Sequence, residues 1–104
     1  MMQGPEVFAG VTGFQWDEGN SDKNRRRHRV TRAEAEQVFF NLPLIVASDP
    51  RHSGKEFRHF ALGRTNVGQH LTIVFTRRAD FLRVVSARPM SRRERNAYAQ
   101  AERT

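Results

Sequence analysis

The chain has 104 residues, no cysteine and a formal net charge of +7 at pH 7. This length fits one domain with a modest core, and the absence of cysteine excludes disulfides and thiolate metal sites. No apolar run approaches the roughly 18 residues of a membrane span, and the first residues lack the features of a signal peptide, so we expect a soluble cytoplasmic protein.

Arginine dominates the positive charge, since only Lys23 and Lys55 of the 18 basic residues are lysines. The planar guanidinium is preferred where phosphate or carboxylate oxygens must be oriented. The composition therefore indicates an anionic partner, either a nucleic acid or an acidic protein. A membrane surface is disfavoured, because the sequence contains no basic helix with a broad apolar face.

The first 13 residues show no helical or strand period and contain three glycines and a proline. We interpret residues 1–13 as an N-terminal extension that need not be ordered, and residues 14–104 as the single domain. Phe14, Gln15 and Trp16 alternate in polarity and could form a short edge strand, after which Asp17 would cap a helix.

A polar stretch follows, with no aliphatic or aromatic residue between Gly19 and Arg29. Its propensity for helix is weak, so a helix here has to be held by tertiary contacts. The stretch ends in a run of basic residues that includes Arg26 and Arg27. Two interpretations of this run stay open: a solvated helix face, or a segment that contacts RNA.

A capping box of Thr31 and Glu34 predicts a helix that begins at Arg32. Apolar residues recur at helical spacing through Leu42, and Pro43 ends the helix because proline disfavours the helical conformation in the residue before it. The apolar side of this helix consists of Ala35, Val38, Phe39 and Leu42. It predicts a helix that packs on the core.

Four strands are predicted next, at residues 44–47, 56–64, 70–77 and 82–88, with Leu71, Ile73 and Phe75 facing inward. A second capping box, Ser91 and Glu94, predicts a last helix from Arg92 to about Glu102. The fold class is therefore α+β: two N-terminal helices, a four-stranded antiparallel meander with or without the short N-terminal edge strand, and a C-terminal helix.

The last strand is the most suggestive for function. Strict alternation puts Leu82, Val84, Ser86 and Arg88 on one face, and Arg83, Val85 and Ala87 on the other. An arginine at the exit of a rigid strand can bind phosphate through two parallel hydrogen bonds, although a merely solvated strand end fits the pattern equally well.

Several segments together resemble the BrnT toxins of bacterial type II toxin-antitoxin systems, which have a RelE-like fold. The matching pieces are residues 14–18, Asn24, residues 26–28, 30–31, 34–35 and 38–39, Glu56, Arg58, residues 63–64 and 84–88, Arg93, Glu94 and Tyr98. The chain departs from the family pattern at Asn20 and Arg27, where lysine is common, and at Arg29, where glycine is common.

The resemblance implies a metal-independent endoribonuclease that cleaves mRNA, uses no cofactor and is neutralised by a BrnA-like antitoxin with a ribbon-helix-helix DNA-binding domain. Through that antitoxin, the complex would bind operator DNA. When the 2′-OH of the RNA attacks the adjacent phosphate, protons must be transferred, and His28 and Glu56 are the titratable candidates for this role. Cationic groups must also stabilise the charge on the phosphate. The expected catalytic residues are His28, Glu56, Arg58 and Arg88, and the expected RNA-binding residues are Arg26, Arg27, Arg77 and Arg83.

Histidines 52, 59 and 70 lack a comparable motif context and are weaker candidates. Two other functions remain open at this stage. The same fold superfamily includes ParE-like toxins that inhibit a protein target by binding it, and the charge alone would suit a non-catalytic nucleic-acid-binding module.

Overall fold

The computed structural model describes residues 4–49 and 57–104. Its helices and strands, in chain order, are α1 (Gly4–Phe8), β1 (Gly13–Trp16), α2 (Glu18–His28), α3 (Arg32–Gln37), β2 (Ile45–Ser48), β3 (Arg58–Arg64), β4 (His70–Arg78), β5 (Phe81–Pro89) and α4 (Arg92–Glu102). A 3₁₀ turn, Val38–Phe40, follows α3 directly. No helix in these ranges is long and apolar enough to cross a membrane.

The strands form one mixed sheet in the order β1-β5-β4-β3-β2. The antiparallel meander from β2 to β5 agrees with the sequence prediction. The prediction of a four-stranded antiparallel sheet is nevertheless incomplete, because β1 is a full member and pairs with β5 in parallel. Alternating polarity indicates a strand, but it does not identify the strand's partner. Gly13, for example, pairs with Phe81, which is 68 residues away in the sequence.

Three helices, α1, α2 and α3, precede β2 in the described residues, whereas the sequence predicted two, because α1 lies in a segment without a helical pattern. At the end of α1, the Phe8 ring packs on Phe39 and Phe75 at centroid distances of 5.8 and 6.2 Å. Arg77 holds the same segment by donating hydrogen bonds to the carbonyl oxygens of Val7 and Ala9. Tertiary contacts therefore supply the order that the local sequence pattern does not indicate.

The polar helix α2 forms as expected from Asp17, whose carboxylate accepts a hydrogen bond from the Asn20 backbone N–H. It ends at Arg29, which adopts the left-handed conformation with φ 56°. Glycine is the residue that adopts this conformation without steric cost. Arg29 therefore holds this conformation at a steric cost.

Helix α3 begins at its capping box as predicted but is shorter than expected, because the chain tightens into the 3₁₀ turn at Val38. Leu42, which we predicted on the packing face, is 77 % exposed. Val38 packs closely on β3, and a Cβ atom at Gly63 would lie only 2.6 Å from its Cγ1 atom. Glycine at position 63 therefore permits this approach of the turn to the sheet.

The main core lies on the side of the sheet that packs against α3 and the N-terminal segment. It contains the three β4 residues predicted to face inward, all fully buried, together with residues from the other elements. The main core residues are Val30, Ala35, Val38, Ala61, Leu71, Ile73, Phe75, Leu82, Val84 and Ala87.

A second, smaller core lies under α4 on the other side of the sheet, where Tyr98 packs with Leu62 and Met90. The Tyr98 hydroxyl donates a hydrogen bond of 2.6 Å to the Pro43 carbonyl oxygen. One buried aromatic residue thus compensates for the otherwise thin apolar side of α4.

Candidate functional site

A β-bulge in β5 decides which side chains face the site. Val84 pairs with Phe75 and Ser86 pairs with Val74, so Val85 is an extra residue in the strand. The alternation shifts by one residue at this point, which puts Ala87 in the main core with Leu82 and Val84. Our prediction of the β5 faces is therefore wrong beyond Val84.

The shift brings Arg83 and Arg88 to the same side of the sheet, opposite the main core. We call this side the basic face. By strand register and alternation it carries Gln15, Arg58, Phe60, Leu62, Thr72, Val74, Thr76, Arg83, Ser86 and Arg88.

Four of these residues form one cross-strand row. Arg58 pairs with Thr76, Thr76 with Arg83, and Arg83 with Gln15. Side chains in paired positions of adjacent antiparallel strands start about 5 Å apart, so Arg58 and Arg83 flank the Thr76 hydroxyl. The row therefore places two arginine residues on either side of one threonine.

The polar atoms within this row are not all satisfied. Thr76 is 2 % exposed and its Oγ1 atom has no hydrogen-bond partner among the described residues, and the same holds for the buried Oε1 atom of Gln15. Leaving a buried polar atom unpaired is unfavourable by about 1 to 3 kcal/mol. Such atoms next to two arginines mark this row as a candidate binding site rather than a packing surface.

Helix α2 presents a polar stripe to its neighbours. Asn24 is 1 % exposed, Asn20, Ser21 and His28 are half-buried, and the remaining residues of α2 are exposed. These four residues recur at helical spacing, and α2 packs against β5. Among the described residues, neither side-chain atom of Asn24 has a hydrogen-bond partner.

The stripe places His28, the proposed proton-transfer residue, on the inner side of α2. Arg26 and Arg27, in contrast, lie on the exposed side, where they remain accessible to RNA. The start of α2 is linked to the arginine row, because Arg83 forms an ion pair of 3.4 Å with Asp17. Helix α2 and the row are thus parts of one surface.

Arg88 has a different environment. Its guanidinium donates hydrogen bonds of 2.8 and 2.9 Å to the two carboxylate oxygens of Glu94. Glu94 also accepts hydrogen bonds from the Thr72 hydroxyl and the Ser91 backbone N–H. The hydrogen bonds from Arg88 are the main cause that lowers the pKa of Glu94 to about 2. This pairing attaches α4 to the end of β5, and the phosphate-binding role expected for Arg88 stays a prediction.

Arg77, which we predicted to bind RNA, has hydrogen-bond acceptors in the N-terminal segment. It alternates with Thr76 and so lies on the core side of β4, where it donates to the carbonyl oxygens of Val7, Ala9 and Ala79. The sequence gives no sign of this role, because the acceptors are backbone atoms of a segment without a recognisable pattern.

Glu56 and histidines 52, 59 and 70 are the other titratable candidates from the sequence. Glu56 and His52 lie outside the described residues. His59 stacks on Phe75 at 5.4 Å on the core side, and burial lowers its pKa. His70 contacts Glu102 at 3.3 Å at the far end of α4. Neither His59 nor His70 belongs to the arginine row.

A cavity of about 550 Å³ lies on the core side of the sheet. Its apolar walls include Phe8, Val11, Phe14, Phe39, Phe40 and Leu82. Its one ionisable residue is Glu36, which accepts a hydrogen bond from the Trp16 indole N–H at 2.8 Å. Since it lacks cationic residues, this cavity does not resemble a phosphate site.

Comparison with known proteins identifies the family. The profile described as "Ribonuclease toxin, BrnT, of type II toxin-antitoxin system" matches residues 16–94, which is most of the chain. The chain belongs to the BrnT family. A ribonuclease activity and an antitoxin partner are therefore properties of its family.

The fold of this BrnT protein is similar to that of the ribonuclease toxin BrnT from Brucella abortus, known from its crystal structure. The TM-score is 0.57 at 21 % sequence identity, and the match covers 79 % of this chain and all of the other. This likeness shows an α+β fold of the BrnT type. A comparison with curated proteins gives no match.

Thr76 and Gln15 are not among the site residues predicted from the sequence. The alternation of β4 places Thr72 and Thr76 opposite its inward apolar residues, so Thr76 could have been assigned to a polar face. Its position between Arg58 and Arg83 depends on the register of three strands.

In the described part of this BrnT protein, no group of three His, Asp or Glu residues is arranged to hold a metal ion.

Proposed function

We propose that this protein is a metal-independent endoribonuclease that cleaves mRNA in the cytoplasm and thereby inhibits translation. The observation that carries the proposal is the cross-strand row in which Arg58 and Arg83 flank Thr76, whose buried hydroxyl has no hydrogen-bond partner among the described residues. Two guanidinium groups on a rigid sheet can bind a phosphodiester in a fixed orientation.

The chemistry is a transesterification within the RNA. The 2′-OH loses a proton and attacks the adjacent phosphorus, and the bond to the 5′ oxygen breaks as that oxygen gains a proton. The products are a 2′,3′-cyclic phosphate and a 5′-OH end. In this assignment Arg58 and Arg83 stabilise the charge on the pentavalent phosphate, while His28 and Glu56 transfer the protons.

The partner in this proposal is a BrnA-like antitoxin with a ribbon-helix-helix domain, through which the complex binds operator DNA. The basic face supports such an interaction, because its arginines can bind carboxylates as well as phosphates. An antitoxin that covers Arg58 and Arg83 blocks access of RNA to the row.

The experiment is a cleavage assay with the purified protein, an unstructured RNA oligonucleotide and EDTA. We expect cleavage to proceed with EDTA and to fall about 30- to 1000-fold in Arg83→Ala, which corresponds to about 2 to 4 kcal/mol of transition-state stabilisation. Arg103→Ala removes the same charge from the exposed end of the chain and serves as the matched control. Equal rates for Arg83→Ala and the control would contradict the assignment of the row.

The assay also separates the alternative functions. RNA binding without cleavage would favour a non-catalytic nucleic-acid-binding module. Growth arrest on induced expression without RNA cleavage would favour a ParE-like toxin that inhibits a protein target. Growth arrest that requires Arg83 and is relieved by co-expression of the antitoxin is the result that our proposal predicts.

A further inference from the structure

The basic face contains an aromatic residue that neither core uses. Phe60 lies in β3 and is half-buried, yet it belongs neither to the main core nor to the small core under α4. It also makes no ring contact with another aromatic residue in the described part of the chain. The chain therefore keeps a phenylalanine on a polar sheet face where its burial stabilises the fold only partly.

Phe60 has smaller neighbours in its cross-strand row. Its row across the sheet consists of Ala47, Phe60, Val74 and Ser86, and the ring is much the largest side chain in it. Val74, like Phe60, is half-buried and outside both cores. This row lies between the arginine row at one end of the basic face and the region under α4 at the other.

The distance to the arginine row is also suggestive. Arg58 and Phe60 are two residues apart on β3 and point to the same side, so they are about 6.6 Å apart along the strand. That separation is of the order of one nucleotide. A phosphate held by Arg58 and Arg83 can therefore carry a base that reaches the Phe60 ring.

We propose that Phe60 is a stacking platform for one nucleobase of a single-stranded RNA substrate whose phosphate is bound by Arg58 and Arg83. The nature of the ligand rests on the proposed function. The positive charge of the basic face favours binding of a polyanion. The aromatic ring favours a polyanion with flat, unpaired bases, because bases within a duplex do not offer a free face for stacking.

Stacking on Phe60 would affect which nucleic acids the protein binds. Every base has a π-face, so stacking on Phe60 favours single strands over duplexes and depends little on base identity. The Phe60 contact therefore positions the substrate. It lies beside the phosphate and does not take part in proton transfer.

The test measures binding of a fluorescent single-stranded oligonucleotide that carries 2′-O-methyl groups and cannot be cleaved. We expect Phe60→Leu to weaken binding about 5- to 150-fold, the range for loss of one aromatic stacking contact, and Phe60→Tyr to bind like the parent. Phe40→Leu is the matched control, because Phe40 is 77 % exposed and lies near the other side of the sheet. Binding of a duplex RNA should be the same in all four proteins.

A second measurement guards against a folding defect in Phe60→Leu. In Phe60→Trp, a tryptophan replaces the ring on the basic face, and its fluorescence should change when the oligonucleotide binds. Trp16, the native tryptophan, provides the background in the parent protein. Circular dichroism should show that all variants are folded.

The possible outcomes separate this inference from the proposed function. If Phe60→Leu binds the single strand as tightly as the parent while Arg83→Ala does not, stacking is refuted and the phosphate site stands. If the parent binds no RNA, both proposals fail. If Phe60→Leu keeps its RNA affinity but loses affinity for the antitoxin, the ring belongs to a protein-docking surface and the stacking inference is overturned.

Discussion

Arg88 and Glu94 bind each other through two hydrogen bonds of 2.8 and 2.9 Å that join the end of β5 to the first turn of α4. Glu94 is at the same time the capping-box residue of α4 and the acceptor for the Thr72 hydroxyl. One carboxylate therefore connects a helix start to two adjacent strands. This relationship gives Arg88 a structural role, because its guanidinium joins β5 to α4.

The Arg88–Glu94 pair should show energetic coupling in a double-mutant cycle. We expect unfolding in urea to give a coupling free energy of about 1 to 2 kcal/mol between Arg88→Ala and Glu94→Ala, limited by partial solvent screening. The exposed pair of Arg25 and Asp22, at 3.7 Å, is the matched control and should couple by less than about 0.5 kcal/mol. Additive effects for Arg88 and Glu94 would show that the pair contributes little.

The same pair predicts a pH dependence of stability. The pKa of Glu94 is lowered from 4.5 to about 2 in the folded protein, so its stabilising contribution is complete above pH 4.5. The contribution declines as the pH falls below 4.5 and is lost once the pH passes about 2. The free energy of unfolding of the parent minus that of Glu94→Gln should therefore shrink across this range. A difference independent of pH would contradict the shifted pKa.

Arg29→Gly should stabilise the protein. Arg29 holds the left-handed conformation at the end of α2, and glycine removes the clash between Cβ and the backbone. We expect a gain of about 1 kcal/mol in thermal or urea unfolding. Arg26→Gly removes the same charge inside the helix and should instead destabilise by about 1 kcal/mol. If both variants lose stability, the strain at Arg29 is smaller than the flexibility that glycine adds to the unfolded chain.

Arg77→Ala should release the N-terminal segment. The substitution removes the donors to Val7 and Ala9, so hydrogen exchange should accelerate in residues 6–11 while β4 stays protected. Its RNA affinity should equal that of Arg103→Ala, because the Arg77 guanidinium lies away from the basic face. A specific loss of RNA affinity with unchanged exchange in the N-terminal segment would restore the RNA-binding role expected from the sequence.

Local sequence signals predicted the elements of this protein well. The two capping boxes placed the starts of α3 and α4, and alternation identified the inward residues of β4. These features depend on residues within one or two turns of each other, so the information lies in the sequence itself. The family resemblance added the ribonuclease toxin class, which the match over residues 16–94 supports.

The candidate site depended on longer-range relationships. The sequence supplied Arg58, Arg83 and His28 as candidates, but a single extra residue, Val85, reverses the facing of every later residue in β5. Whether a strand contains a bulge is decided by its register with the neighbouring strand. For that reason the tertiary structure alone placed Arg83 beside Thr76, with Arg58 on the other side of Thr76, and paired Arg88 with Glu94.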